Sequence, residues 1–132
     1  MTDAPQDVLQ FVRGETDPAI FPHREHVRMA FQMLRRHDFV ETALHYSRAL
    51  RALTAKAGKP GKFHQTVTIA FLSLVAERMQ GAGQADFDVF IRSNPDLLDK
   101  SVLGRLYSAE RLSSQAASTT FLLPVPLRLP VS

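Results

Sequence analysis

The sequence predicts an all-α fold: a compact helical bundle of three longer helices and several short ones, with an extended Pro-rich C-terminal tail. Three observations predict it. Apolar residues recur three and four apart along three long stretches between residues 22 and 80, the period of a helix with one buried face. The breakers Gly14, Pro18, Gly58, Pro60, Gly81 and Gly83 fall between these stretches and not inside them. The chain has 132 residues, 45% of them hydrophobic and 22% charged, which suits one soluble domain spanning 1–132 and excludes a disordered chain.

Each element has a local reason. A short segment over residues 7–12 ends at Gly14 and belongs to an N-terminal region, 1–20. Pro22 fits the first position of a helix over 22–36, where its missing N–H costs nothing. Asp38 caps a second helix over 39–57, which Gly58 and Pro60 stop. A third helix covers 64–80, and a fourth, shorter one 85–92. Asn94-Pro95 opens a further turn, and Ser101 and Ser108 cap two more short helices. Residues 121–132 are apolar with prolines at short intervals, so they run extended over the body or reach across to a second subunit.

Composition excludes several classes. There is no cysteine, hence no disulfide, thiolate metal site or cysteine nucleophile. A net charge of +3 is too small to argue for nucleic acid, and the exposed aromatic residues that base stacking needs are missing. The N-terminus lacks a basic start followed by an apolar run. The longest apolar stretch, Val67 to Ala76, is about half of what a bilayer crossing requires. A cytoplasmic protein without membrane or nucleic-acid partners is expected.

The chemistry concentrates in three of the five histidines. On a helical wheel, Val27, Ala30, Phe31 and Leu34 mark the inward face of the first long helix, and His23 and His26 fall on it, three residues apart. The opposite side carries Arg24, Glu25, Arg28, Arg35 and Arg36. In the third helix Thr68, Phe71 and Val75 form a strip that His64 begins. His37 and His45 fall on solvated positions. Buried imidazoles need partners for both ring nitrogens, and a divalent metal on His23, His26 and His64 would satisfy one nitrogen from each ring. Three neutral ligands with an open position for water form a catalytic type of set. Zinc is the first expectation, with copper or iron as alternatives. The inward faces offer no carboxylate for a two-His-one-carboxylate iron site. The alternative is that the rings are hydrogen-bonded within the core or hold an organic ligand without metal.

Other groups extend the expected site. Thr68, one turn after His64, and Tyr107 are expected as assisting catalytic residues; each also has a structural alternative, a bond to the carbonyl four residues back for Thr68 and core packing for Tyr107. Three lysines and two glycines in residues 56–64 lead into the third helix. Lys59 and Lys62, with Arg28, are expected to form an electropositive mouth for an anionic small molecule. This loop has neither the spacing nor the Ser/Thr of a P-loop. Arg78, further along the His64 strip, pairs with a carboxylate of the short helices or snorkels outward.

The segments Phe21-Pro22-His23-Arg24-Glu25-His26-Val27-Arg28-Met29-Ala30, Gly61-Lys62-Phe63-His64-Gln65-Thr66-Val67-Thr68, Asn94-Pro95-Asp96-Leu97-Leu98-Asp99, Leu106-Tyr107-Ser108 and Phe121-Leu122-Leu123-Pro124 together resemble a family of small uncharacterised bacterial proteins. The resemblance spans residues 21–126 and includes the three histidine positions. It implies no reaction. Ile69-Ala70-Phe71 departs from it, where a bulkier, Trp-containing run is expected. The functional expectation is a metal-binding enzyme of small-molecule metabolism. Its alternatives are a helical module that binds a small ligand without metal and a homodimeric interaction protein.

Overall fold

The computed structural model describes residues 5–83 and 85–124. It is all-α. In chain order the helices are α1 (Gln6–Val12), α2 (His23–Arg36), α3 (Phe39–Lys56), α4 (Gln65–Met79), α5 (Phe87–Ser93), α6 (Ala109–Leu112) and α7 (Gln115–Thr119). Short 3₁₀ turns at Pro18–Ile20, Pro60–Lys62, Pro95–Leu98 and Val102–Arg105 join them. Among the described residues no helix is long and apolar enough to cross a membrane.

The ends follow capping chemistry, with corrections to the sequence reading. The Asp38 carboxylate accepts the Glu41 N–H at 2.8 Å and starts α3. Asp86, Ser108 and Ser114 cap α5, α6 and α7 in the same way. Ser101 does not cap; its amide and hydroxyl both bond Asp99. Pro22 stands one position before α2, extended at ψ 170°, and not inside it. His64 likewise precedes α4 and caps it, with Nδ1 accepting the Val67 N–H at 3.0 Å. Gly14 has φ +73° where its Cα approaches Ala52; a Cβ there would lie 3.3 Å from the Ala52 Cβ.

Helices α2, α3 and α4 pack on one another pairwise. Their inward residues, among them Val27, Phe31, Tyr46, Leu50, Phe71, Leu72 and Val75, form the core. Phe87, Phe90, Leu97 and Leu103 extend it under the C-terminal half. Arg78 pairs with Asp96 through two bonds of 2.9 and 2.7 Å and also reaches Asn94. That fork ties α4 to the Pro95 turn and holds the Asp96 carboxyl below its usual range.

Residues 121–124 are non-helical and are strapped to the body. The Thr66 hydroxyl, fully buried, donates to the Thr120 carbonyl at 2.7 Å and accepts the Leu122 N–H at 3.0 Å. Tyr107 and Arg111 donate to the Leu122 and Leu123 carbonyls. Residues 125–132 of the expected tail and 1–4 of the N-terminal region lie outside the described residues. Thr66→Val keeps the shape of the buried side chain and strands both backbone partners. It is expected to cost about 1–3 kcal/mol and to speed amide exchange at Leu122, read by hydrogen-exchange NMR.

Candidate functional site

A cavity of about 200 Å³ opens between the start of α2, the middle of α3 and the residues leading into α4. The residues after the Pro95 turn close the remaining side. His23, His26 and His64 all line it. Its apolar wall comes from Tyr46, Leu50, Phe63, Val67, Phe71 and Leu103. Thr54 and Thr68 add hydroxyls, and Lys62 and Lys100, both exposed, stand at its edge.

Local sequence explains the placement. The three-residue spacing puts His23 and His26 on one face of α2, with ring centroids 6.2 Å apart and planes inclined by 26°. His23 also packs against Phe71 at 5.4 Å, and His26 against Phe21 at 4.7 Å. The Tyr46 hydroxyl donates to the His26 carbonyl at 3.0 Å, so α3 grips the first turn of α2.

The ring nitrogens carry the chemistry. His23 Nε2 lies 2.9 Å from the Leu97 carbonyl. A carbonyl only accepts, so this nitrogen bears the proton. His64 Nε2 donates to the Leu112 carbonyl at 2.7 Å while its Nδ1 accepts the Val67 N–H. Both of its nitrogens are therefore engaged, and it has no lone pair left for a metal ion. Burial pushes the His26 pKa down to about 4, helped by His23 and Lys100 and opposed by hydrogen bonding to the Phe21 backbone. His26 is a neutral imidazole near pH 7.

These facts revise the expected metal set. His23, His26 and His64 share one cavity, but His64 serves as a helix cap. Among the described residues no group of three or more His, Cys, Asp or Glu is placed to hold a metal ion. Binding of zinc, copper or iron by all three rings requires His64 to break its bond to Leu112 or to Val67.

The remaining expected site residues divide. Thr68 lines the cavity, with its proton donated to the His64 carbonyl at 2.7 Å. It has no bond to an imidazole that would activate it as a nucleophile. Lys62 is at the mouth; Lys59 precedes the Pro60 turn and is not among the lining residues. Arg28 lies elsewhere, because the charged side of α2 turns it toward Glu25, at 2.7 Å, and Asp7 of α1. Tyr107 is buried, is not among the cavity-lining residues, and its hydroxyl fastens residue 122.

Sequence reading missed Lys100, which sits in an irregular link between two 3₁₀ turns where no periodicity fixes a direction. It also missed Phe63, placed against the cavity as the Arg51 guanidinium covers its ring at 4.3 Å. Comparison with protein-family models, with curated proteins and with solved structures returns no match for this chain.

Proposed function

We propose that this protein is a helical binding module for a small organic acid, which it holds without metal. The observation that carries this reading is the cavity itself: apolar walls, half-buried imidazoles and two exposed lysines among its lining residues. Its size suits a ligand of one ring or a short chain, since an apolar cavity of about 150 Å³ accommodates benzene. Apolar lining with a few convergent polar groups is the usual make-up of a ligand pocket. Lys62 and Lys100 favour an anionic group at the mouth, which stays partly solvated there and avoids the cost of burying a charge. Thr68 and His64 act in this reading as lining groups.

Titration of the protein with benzoate, followed by amide NMR, tests the proposal. Shifts are expected at Phe63, Phe71 and Leu103, saturating with a dissociation constant in the micromolar to millimolar range. Lys62→Gln together with Lys100→Gln is expected to weaken binding about tenfold, as for the loss of two partly screened charges. Absence of saturable shifts at the cavity residues, with benzoate and with short-chain carboxylates alike, defeats the reading. Stoichiometric zinc, copper or iron in protein purified without tag or chelator restores the three-histidine metal enzyme in its place.

A further inference from the structure

We propose that the cavity selects, among small acids, those carrying an uncharged hydrogen-bond donor at the inner end: a hydroxylated acid, bound with its carboxylate outward. The inference rests on the reading of the cavity as an acid-binding site. It adds which functional group the interior demands.

The argument is a count of protons. The neutral polar side chains of the inner wall already donate theirs to backbone carbonyls, which have none to return. His23 Nε2–H goes to Leu97 at 2.9 Å, and the Thr68 hydroxyl to His64 at 2.7 Å. The Tyr46 hydroxyl goes to His26 at 3.0 Å, and the Thr54 hydroxyl to Arg51 at 3.0 Å. His64 is spent on both sides, donating to Leu112 and accepting from Val67. What is left over is lone pairs: Nδ1 of His23, the acceptor nitrogen of neutral His26 and the oxygen of Thr68. The donors of the site are the two lysines at its edge.

Ligand chemistry follows from that asymmetry. A carbonyl or ether pointing inward sets acceptor against acceptor and leaves its own lone pairs unmet, which is costly away from water. An alkyl group is tolerated by the apolar wall but leaves the imidazole acceptors unpartnered. A hydroxyl brings the missing proton. An ammonium group also donates, but it meets an apolar wall and two lysines of its own sign, so a neutral donor is preferred. The polarity of the ligand is thus set at both ends: an anion toward Lys62 and Lys100, an O–H toward the histidines.

The test compares 4-hydroxybenzoate with 4-methylbenzoate, which match in shape and differ in the donor, by amide NMR titration at pH 7.5. The hydroxyl acid is expected to bind about fivefold to tenfold tighter, the ratio of one net hydrogen bond. Equal affinity, or tighter binding of the methyl acid, overturns the donor rule while leaving the acid site standing. No saturable binding of either acid, or of benzoate, overturns the acid site and the rule with it. A second measurement needs no ligand. Long-range nitrogen–proton NMR of the imidazoles is expected to show His23 and His64 as Nε2–H tautomers, and an Nδ1–H tautomer at His23 overturns the inference.

Discussion

Phe31→Ala is expected to destabilise the protein by about 3–5 kcal/mol, the range for emptying a buried aromatic site. Phe31 is only 2% exposed. Its ring lies 4.8 Å from Phe90 and 5.6 Å from Phe87, both tilted, and the Arg35 guanidinium sits 5.3 Å over its outer face. Three aromatic rings thus make the joint between α2 and α5. Both neighbours belong to a helix of only seven residues, which is too short to hold its shape without that packing. Removal of the central ring therefore leaves a cavity and also loosens α5. In urea the midpoint is expected to fall by about 2 M, given a slope of about 2 kcal/mol per molar for a domain of this size. Phe31→Leu keeps most of the volume and is expected to cost less than half as much. A loss under about 1 kcal/mol for the alanine variant would show that this cluster is not the joint.

The joint was legible in the sequence only in part. Val27, Ala30, Phe31 and Leu34 mark the inward stripe of α2 because a 14-residue helix repeats its pattern over nearly four turns. The same repetition places Tyr46 and Leu50 in α3. Residues 85–124 contain no helix long enough to repeat anything, so their packing partners follow from tertiary contacts that periodicity does not encode. Arg78 marks the boundary between these regimes. Its position on the α4 strip left two courses open, a carboxylate of the short helices or an outward path, and the structure supplies Asp96.

The same physics decides which site residues were readable. His23 and His26 were found because two polar rings interrupt an apolar stripe, and that signal reports inward direction well. It does not report what each nitrogen does. The metal expectation for His64 assumed a ring within the first turn of α4. One residue of difference made it the N-cap, and an N-cap side chain turns back to the free amides of its own helix. A cap of this kind is expected of Ser, Thr, Asp or Asn, so histidine gave no warning. Arg28 misled in the opposite sense: a cation three residues after Glu25 is already partnered along its own helix. Lys100 left no signal because its link has no period.

Acidification is expected to destabilise this protein well above the range in which its carboxylates titrate, with His26 as the cause. The folded protein holds this imidazole near pKa 4, against an ordinary value of 6.5. Between those two values the unfolded chain binds a proton that the folded chain refuses. Stability from this group is therefore complete above about pH 6.5 and is lost as the pH falls toward 4. The loss amounts to at most about 3.5 kcal/mol, 1.4 kcal/mol for each unit of separation. Carboxylates do not mimic it. Glu25 and Asp96 are held below their ordinary values of 4.5 and 3.8, so their contributions disappear at lower pH. Urea unfolding at pH 7.5 and at pH 5, with and without His26→Leu, separates the two. The wild type is expected to lose about 2 kcal/mol over that interval, and the variant markedly less. Equal losses would place the acid sensitivity in another group. They would also mean that His26 ionises freely in the fold, so the cavity would turn cationic on mild acidification, and an acid ligand would then bind more tightly at pH 5 than at pH 7.5.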